Sequence, residues 1–239
     1  MQGSTFERFE EKYLLNAAQY QPVMTGLRGR MQPDLFGRSM VSSVYYDTAD
    51  YRLIRASLEK PDYKEKLRVR AYGKPTTESK VFVELKKKYD GIVYKRRVEL
   101  PLTKAELLLA GRNTDEDAQI MREIQYFLNF YRPVPSVFLS YRRVAYVGVE
   151  AGLRITIDDD IRFRMSALRL TAGIWGEEVL PKGMTLMEIK VPGAMPLWLC
   201  ELLNQNGVYP ASFSKYGVCY RDFIFPQLRQ NEKGRNIYA

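Results

Sequence analysis

KVFVELKKKYDGIVYKRRVEL, residues 80–100, has the pattern of two strands joined by a tight turn. Its central Asp-Gly pair is typical of two-residue hairpin turns. Side chains alternate between the two faces of a strand, so residues two apart share a face. One face of this hairpin is therefore predicted to carry the charged residues Glu84, Lys86, Lys88, Lys95 and Arg97. The other face of the first strand is aliphatic, which predicts a sheet with one charged side and one apolar side.

The same separation recurs in other predicted strands. The residues that share a charged or polar face are Lys64, Lys66, Arg68 and Arg70; Tyr141 and Arg143; Arg154, Thr156 and Asp158; and Glu188 and Lys190. Two geometries fit this pattern, a solvated charged face over an ordinary core, or a closed barrel with charges inside and helices outside. Five strands of this kind favour the barrel. Buried cations need anionic partners, and the forked donors of Arg and compact charge of Lys suit phosphates.

The order of the segments predicts an α+β fold, built on an antiparallel barrel of about eight strands or a strongly curved sheet, with helices outside. Strands are expected at residues 6–15, 41–46, 64–72, 80–89, 91–100, 136–147, 153–157, 162–164 and 185–191. Helices are expected at residues 16–31, 47–57, 103–111, 115–131, 196–206 and 214–226. Asn16, Asp47 or Thr48, and a Thr103–Glu106 capping box would begin the first three helices. No linker divides residues 1–239, so we expect one domain with a short basic tail from about 227.

Composition excludes several classes of chemistry. The 239 residues carry a formal net charge of +9 and contain no histidine, which excludes Ser-His-Asp catalysis and His-ligated metals. Catalysis would depend on Lys, Arg, Tyr and carboxylates, with any metal held by oxygen ligands. Two cysteines, both interpreted as core residues, and the absence of an apolar leader or span predict a cytoplasmic protein without a membrane span.

Nine segments in order resemble the VTC domain, the polyphosphate polymerase module of the triphosphate tunnel (CYTH-like) superfamily. The segments are FEEKYLL (9–15), SVYYDT (43–48), LRVRAYG (67–73), VELKKK (83–88), YKRRVEL (94–100), SYRRVAY (140–146), LRITID (153–158), MEIKV (187–191) and FSKYG (213–217). Each segment alone is weak evidence for the family, but nine segments in the family's order are specific to it. Together they span about residues 5–220, and the resemblance implies an antiparallel tunnel that binds triphosphate or polyphosphate along its axis.

The resemblance also implies a set of site residues. The catalytic residues it indicates are Lys12, Arg68, Arg70, Lys86, Arg143, Arg154, Lys190 and Lys215. The further phosphate- or polyphosphate-binding residues it indicates are Lys95, Arg97 and Tyr141, and the strand alternation described above adds Lys66 and Lys88. Glu188 would be the principal ligand of Mn²⁺ or Mg²⁺, with Glu10 and Glu84 as further ligands. The implied reaction moves the γ-phosphate of ATP onto a polyphosphate chain, without a general base because the attacking phosphate oxygen is already ionised.

One departure from the superfamily bears on the reaction. Its hydrolytic members open with Glu-x-Glu-x-Lys, whereas residues 8–12 are RFEEK, with Arg8 in place of the first carboxylate. The change disfavours a two-metal hydrolase and is compatible with a polymerase. A triphosphatase or nucleoside triphosphatase of the same fold and a non-catalytic polyphosphate- or RNA-binding module remain alternatives. ATP and inorganic polyphosphate are the expected partners, and specific nucleic-acid binding is not expected because aliphatic residues, rather than stacked aromatics, separate the cations.

Overall fold

A computed structural model describes residues 8–90, 92–112, 118–149 and 152–235. Its strands are β1 (Arg8–Leu15), β2 (Met31–Asp47), β3 (Tyr63–Tyr72), β4 (Lys80–Tyr89), β5 (Ile92–Pro101), β6 (Val134–Gly148), β7 (Arg154–Arg164), β8 (Glu177–Glu178) and β9 (Thr185–Pro192). Its α-helices are α1 (Ala17–Leu27), α2 (Arg52–Leu58), α3 (Leu102–Leu109), α4 (Gln119–Tyr131), α5 (Leu197–Gln205), α6 (Lys215–Val218) and α7 (Phe225–Arg235). A π-helical segment, Cys219–Ile224, joins α6 to α7.

The strands form a mixed α+β structure around one antiparallel sheet. The hydrogen-bonded order is β1-β9-β7-β6-β2-β3-β4-β5, and β8 pairs with β7. The predicted fold class is thereby confirmed. Over the described residues, the hydrogen-bonded path has two ends, β1 and β5, so the sheet is not closed by backbone pairing.

The chain forms two compact units. Within the described residues, the first unit takes the chain up to Met40, Tyr141–Ile161 and Leu180–Phe213. The second takes Val41–Ser140, Arg162–Val179 and the chain from Ser214 onward. That residues 1–239 form one domain stays a prediction.

Each unit has its own apolar core beneath the aliphatic faces of its strands. In the first unit, α1 and α5 contribute to a core that includes Leu15, Val23, Leu27, Ile155, Met187, Ile189, Leu199 and Leu203. In the second unit, α3 and α4 contribute to a core that includes Leu67, Val69, Val83, Leu85, Leu108, Ile124, Phe127 and Phe138. Helices therefore cover the aliphatic faces, as the alternation predicts, and this burial favours a sheet whose opposite face carries the charges.

Helix starts follow the sequence in one case and depart from it in another. Asn16 caps α1 and forms a capping box with Gln19, since each side chain accepts the other residue's backbone N–H. The predicted box at Thr103 is wrong, because α3 already begins at Leu102, after Pro101, without a side-chain cap. Residues 113–117, part of the predicted fourth helix, lie outside the described residues.

Several predicted boundaries also need correction. The first helix ends at Leu27 and a 17-residue strand, β2, begins at Met31, so sequence reasoning missed its first ten residues. The two strands predicted at 153–157 and 162–164 are one strand, β7. Residues 228–235, which fall in the predicted basic tail, lie in α7, which runs to Arg235. Cys219 is buried, whereas Cys200 is exposed and is not a core residue. No helix in the described ranges has the length and hydropathy of a bilayer span.

Candidate functional site

The charged face of β3, β4 and β5 forms a cluster in the second unit. We call this the β3–β5 cluster, and its residues are Lys66, Arg68, Arg70, Glu84, Lys86, Lys88, Lys95 and Arg97. Arg68 pairs in register with Glu84, which in turn pairs with Arg97. A second row aligns Lys66, Lys86 and Lys95. Directly opposed residues of an antiparallel pair lie on the same face of the sheet. The register therefore confirms the prediction that the charged residues of these strands share one face.

Glu84 is the anion at the centre of this cluster. It is 1% exposed, and its carboxylate lies 2.6 Å from Arg68, 2.9 Å from Lys95 and 3.9 Å from Arg70. Burial raises the pKa of Glu84, but these cations outweigh it and lower the pKa to about 2. Burial lowers the pKa of Lys95. Glu84 therefore holds cations in place, and each of its two carboxylate oxygens lies within ion-pair distance of a cation.

Strand β2 adds two hydroxyl groups to the cluster. The Tyr45 hydroxyl lies 2.7 Å from Nη1 of Arg68, and Nε of Arg70 donates to Oγ of Ser43 at 3.4 Å. Burial raises the pKa of Tyr45, but the positive charges of Arg68, Arg70 and Lys66 outweigh burial and lower it to about 8. A tyrosine with this pKa reports a strongly positive local field.

The sequence analysis did not place Tyr45 among the site residues and missed this contact. Alternation within β2 carries the missing signal, since Ser43 and Tyr45 share one face. The register then places them opposite Arg70 and Arg68.

The remaining predicted residues of the second unit lie at different places. Nζ of Lys66 lies 3.4 Å from Oγ of Ser214, which precedes Lys215 at the start of α6. Lys86 and Lys88 are half-buried on the charged face. Arg97 is exposed and stacks on Phe82, with its Cζ 4.7 Å from the ring centroid, so it lies at the margin of the cluster.

A second cluster lies in the first unit on β1, β9, β7 and β6. We call this the β9 cluster, and its residues are Glu10, Lys12, Tyr141, Arg143, Arg154, Thr156, Asp158, Glu188 and Lys190. Lys12, Glu188 and Thr156 align in one row across three strands. Glu10, Lys190 and Arg154 align in the next row.

Ammonium groups and carboxylates alternate at the β1–β9 edge of this cluster. Lys190 lies 2.8 Å from Glu188 and 3.5 Å from Glu10, and Lys12 lies 3.5 Å from Glu10. Burial lowers the pKa of Lys190, but Glu188 and Glu10 outweigh it and raise the pKa. Glu11 is on the opposite face, where it accepts a hydrogen bond from Tyr13 at 2.6 Å. Only Glu10 of the two adjacent carboxylates therefore faces the cluster.

Arg143 and Asp158 form the most buried ion pair of the β9 cluster. Nε and Nη2 of Arg143 donate to the two oxygens of Asp158 at 2.6 and 2.7 Å. Arg143 also lies over the ring of Tyr141, 5.1 Å from its centroid. Burial lowers the pKa of Arg143, but Tyr141 and Asp158 outweigh it and raise the pKa further above neutrality. Arg143 is therefore a fixed, permanently charged fork.

Arg154 is a predicted site residue whose side chain pairs with a residue outside the β9 cluster. Its backbone pairs with Lys190, but its exposed guanidinium donates to Asp34 at 2.9 Å. Thr156 is buried on the Glu188 row, and its hydroxyl has no hydrogen-bond partner within the described part of the chain. Such an orphaned buried hydroxyl marks a place where a ligand or water would find an oxygen partner.

The β9 cluster fits a hard divalent cation better than the β3–β5 cluster does. No group of three potential metal-ligating side chains occurs among the described residues. Mg²⁺, however, is commonly held by one or two carboxylates together with waters and substrate phosphates. Glu188 and Glu10 supply two carboxylates beside the ammonium groups of Lys190 and Lys12, and Thr156 supplies a hydroxyl in the same row as Glu188. Glu84, by contrast, is occupied by its cations.

Comparison with solved structures identifies the class of fold. A candidate adenylate cyclase from Bacillus halodurans aligns with a TM-score of 0.50 and 16% identity, over 86% of this chain and 92% of its own. A candidate adenylyl cyclase from Hippeastrum, described as having a dominant triphosphatase activity, aligns with a TM-score of 0.53 and 17% identity, over 89% and 94%. The fold is that of the CYTH-like triphosphate tunnel proteins.

The family follows from the sequence itself. The model of the VTC domain family matches residues 7–224, which is nearly the whole chain, and the chain belongs to this family. No curated protein matches it.

Proposed function

We propose that this protein is a metal-dependent phosphotransferase that moves the γ-phosphate of ATP onto the end of an inorganic polyphosphate chain in the cytoplasm. The unequal charge balance of the two clusters is the observation that carries the proposal. As defined above, the β3–β5 cluster has seven cations and one carboxylate, whereas the β9 cluster has four cations and three carboxylates. The first balance suits the multiple charges of a phosphate chain, and the second suits a cation bound together with phosphate.

Each group of residues has a role in this proposal. Arg68, Arg70, Arg143 and Arg154 hold phosphate groups in line, and Lys12, Lys190 and Lys215 orient the attacking oxygen. Lys86 stabilises developing charge, while Lys66, Lys88, Lys95, Arg97 and Tyr141 bind the rest of the chain. Glu188, assisted by Glu10, would hold Mn²⁺ or Mg²⁺, which supplies charge neutralisation on phosphate oxygens. Because Arg154 pairs with Asp34, its role requires the side chain to leave that carboxylate on binding.

The chemistry balances without a general base. A terminal oxygen of the polyphosphate forms a bond to the γ-phosphorus of ATP, and the bond from that phosphorus to the β–γ bridging oxygen breaks. ADP leaves with the electron pair, and the chain gains one phosphoryl group. No proton needs to be removed from an ionised phosphate, so positioning and charge stabilisation are sufficient.

Hydrolysis is the second candidate. The Hippeastrum neighbour is described by its triphosphatase activity, and the shared fold brings that possibility to this chain. Against it, Arg8 replaces the first carboxylate of the hydrolytic motif, and Glu11 lies on the opposite face with Tyr13. Glu10 is then the one acidic residue that β1 contributes to the cluster, which favours transfer to phosphate over a two-metal hydrolase.

Product analysis tests the proposal. The purified chain is incubated with ATP and Mn²⁺ or Mg²⁺, with and without a short polyphosphate primer, and products are separated by gel and ³¹P NMR. We expect ADP and lengthening polyphosphate. Orthophosphate without chain growth would establish hydrolysis instead, and tripolyphosphate binding without turnover would establish a binding module.

Glu188→Gln provides a sharper test of the metal assignment. This substitution keeps the size of the side chain but removes its charge, so metal-dependent turnover should fall at least a hundredfold, on the order expected for loss of a catalytic charge. Tripolyphosphate binding without metal should remain. Glu177→Gln, on the exposed strand β8, is the matched control. Equal turnover of the two variants would contradict the role of Glu188.

A further inference from the structure

Lys215 lies between two residues that are both anchored to other elements of the second unit. On one side, Oγ of Ser214 lies 3.4 Å from Nζ of Lys66 and accepts the backbone N–H of Gly217 at 3.2 Å. On the other side, the hydroxyl of Tyr216 donates to Oδ2 of Asp47 at 2.9 Å. Tyr216 is 3% exposed, whereas Lys215 is half-buried. The backbone that carries Lys215 is therefore held from both directions.

Asp47 is the buried end of this arrangement. It is fully buried, and its Oδ1 accepts the backbone N–H groups of Thr48 and Leu53 at 2.8 and 2.9 Å. Its Oδ2 accepts the N–H of Ile54 at 3.0 Å in addition to the Tyr216 hydroxyl. The first N–H groups of a helix lack partners within the helix. One carboxylate thus satisfies the start of α2 and fixes the position of α6.

Close packing between α2 and α6 limits the movement that remains. A Cβ added at Gly217 would lie 3.1 Å from Cδ2 of Leu58 and 3.1 Å from Cβ of Ser214. Such distances are tighter than ordinary van der Waals contact, so a side chain at this position would require Leu58 or Ser214 to move by a few tenths of an ångström. The short helix α6 therefore packs closely against α2 at Gly217.

The same tyrosine continues toward the β3–β5 cluster. Its ring centroid lies 5.0 Å from that of Tyr45, whose hydroxyl contacts Arg68 at 2.7 Å. Burial, together with the negative charge of Asp47, raises the pKa of Tyr216, so its hydroxyl stays protonated and keeps donating. A continuous set of contacts runs from the start of α2 through Asp47, Tyr216 and Tyr45 to Arg68.

We propose that Asp47 and Tyr216 are positioning residues for phosphoryl transfer, which hold Lys215 at a fixed place beside the β3–β5 cluster. The inference rests on the proposed function, in which Lys215 orients a phosphate oxygen. Neither residue contacts phosphate in this proposal, and both act through Lys215. Loss of the Tyr216 hydroxyl would leave the ring packed but release α6 from Asp47.

A double-mutant cycle tests this dependence. Tyr216→Phe, Lys215→Ala and the double variant are compared for ADP formation from ATP and for tripolyphosphate affinity by calorimetry. Tyr220→Phe is the matched control, because its buried ring lies in the π-helical segment that directly follows α6, against Tyr51 and Phe225. Asp47→Asn is a second variant, and circular dichroism and thermal unfolding report whether each variant folds.

We expect Tyr216→Phe to lower kcat/KM about tenfold, since a misplacement of about 1 Å at a catalytic group can cost up to about a hundredfold. Tyr220→Phe should change it less than about twofold. In the Lys215→Ala background, Tyr216→Phe should produce no further loss, and the same non-additivity should appear in tripolyphosphate affinity.

The outcomes separate the two proposals. Independent, multiplying effects of the two substitutions would overturn the positioning role, as would a folded Tyr216→Phe variant with unchanged kinetics and affinity. Should Tyr216→Phe fail to fold, additive losses in a folded Asp47→Asn variant combined with Lys215→Ala would overturn it equally. Tripolyphosphate binding without turnover by the wild-type chain would overturn phosphoryl transfer alone, and the affinity cycle would still decide the positioning role. No binding by the wild type would overturn both.

Discussion

The removal of one charge from the centre of the β3–β5 cluster should reveal what that cluster is built to bind. Glu84→Gln keeps the shape of the side chain but leaves Arg68, Arg70 and Lys95 without their shared carboxylate. Without a bound phosphate chain, the Glu84→Gln variant should be less stable than the wild type. Binding of a phosphate chain should stabilise the variant more than the wild type, because the chain replaces the missing negative charge.

The magnitude follows from the pKa of Glu84, which falls from an ordinary value of 4.5 to about 2. Each tenfold change in proton affinity corresponds to about 1.36 kcal/mol, so the ionised carboxylate contributes about 3 kcal/mol at neutral pH. Since the pKa is depressed in the folded state, this contribution is complete above the unfolded pKa. It is lost as the pH falls from about 4.5 toward about 2. Loss of one partner from a buried ion pair costs a similar amount, about 3–5 kcal/mol.

Urea denaturation at pH 7 measures the effect, with and without tripolyphosphate. We expect Glu84→Gln to lower the free energy of unfolding by about 3 kcal/mol. Glu99→Gln on the same hairpin, which removes the exposed pair with Lys80, should cost less than about 1 kcal/mol. Tripolyphosphate should restore most of the loss in the first variant. Equal costs for the two variants, or equal stabilisation of both by tripolyphosphate, would refute the reasoning.

Three other perturbations have defined outcomes. Absorbance titration should show one tyrosine ionising near pH 8, in agreement with the pKa of about 8 for Tyr45, and Tyr45→Phe should remove that step. Persistence of the step in Tyr45→Phe would assign it elsewhere. The guanidinium of Arg164 stacks between Phe138 and Trp175 and donates to backbone carbonyls within residues 167–175. Arg164→Lys should therefore lower the free energy of unfolding, measured by urea denaturation, by about 2–4 kcal/mol. Polyphosphate affinity should fall with a log–log salt slope near −4 if about six phosphates are contacted, and a flat dependence would contradict a polyanion site.

The sidedness of the clusters could be predicted because it depends only on local alternation. In a strand, the identity of every second residue determines which side chains share a face, and the register of β3, β4 and β5 agrees with that expectation. The aliphatic faces and the helices that cover them could be predicted for the same reason. Local sequence patterns were sufficient to predict the face of the strand on which each side chain lies.

Pairing between distant residues could not be predicted in this way. Arg154 contacts Asp34 across 120 positions of sequence, and Tyr216 reaches Asp47 across 169. No local signal specifies either contact, because each depends on the packing of whole elements. The Thr103 capping box failed for a related reason, since the chain enters α3 directly from the end of β5 and the N-cap position is Pro101, two residues before Thr103.

The two clusters differ in what their carboxylates are available to do, and this difference explains why one chain would need both. Glu84 is surrounded by cations whose combined charge exceeds its own, so it orders the β3–β5 cluster but cannot neutralise it. Glu10 lies near the ammonium groups of Lys12 and Lys190, and Glu188 lies near that of Lys190, so carboxylates and ammonium groups are present in equal number here. In the proposed function, a phosphate chain alone would satisfy the first arrangement, whereas a divalent cation together with phosphate would satisfy the second. Metal dependence and salt dependence should therefore be separable by mutation. Glu188→Gln should weaken the dependence of turnover on the metal. Lys86→Ala should make the log–log salt slope of polyphosphate affinity shallower by the amount expected for about one phosphate contact.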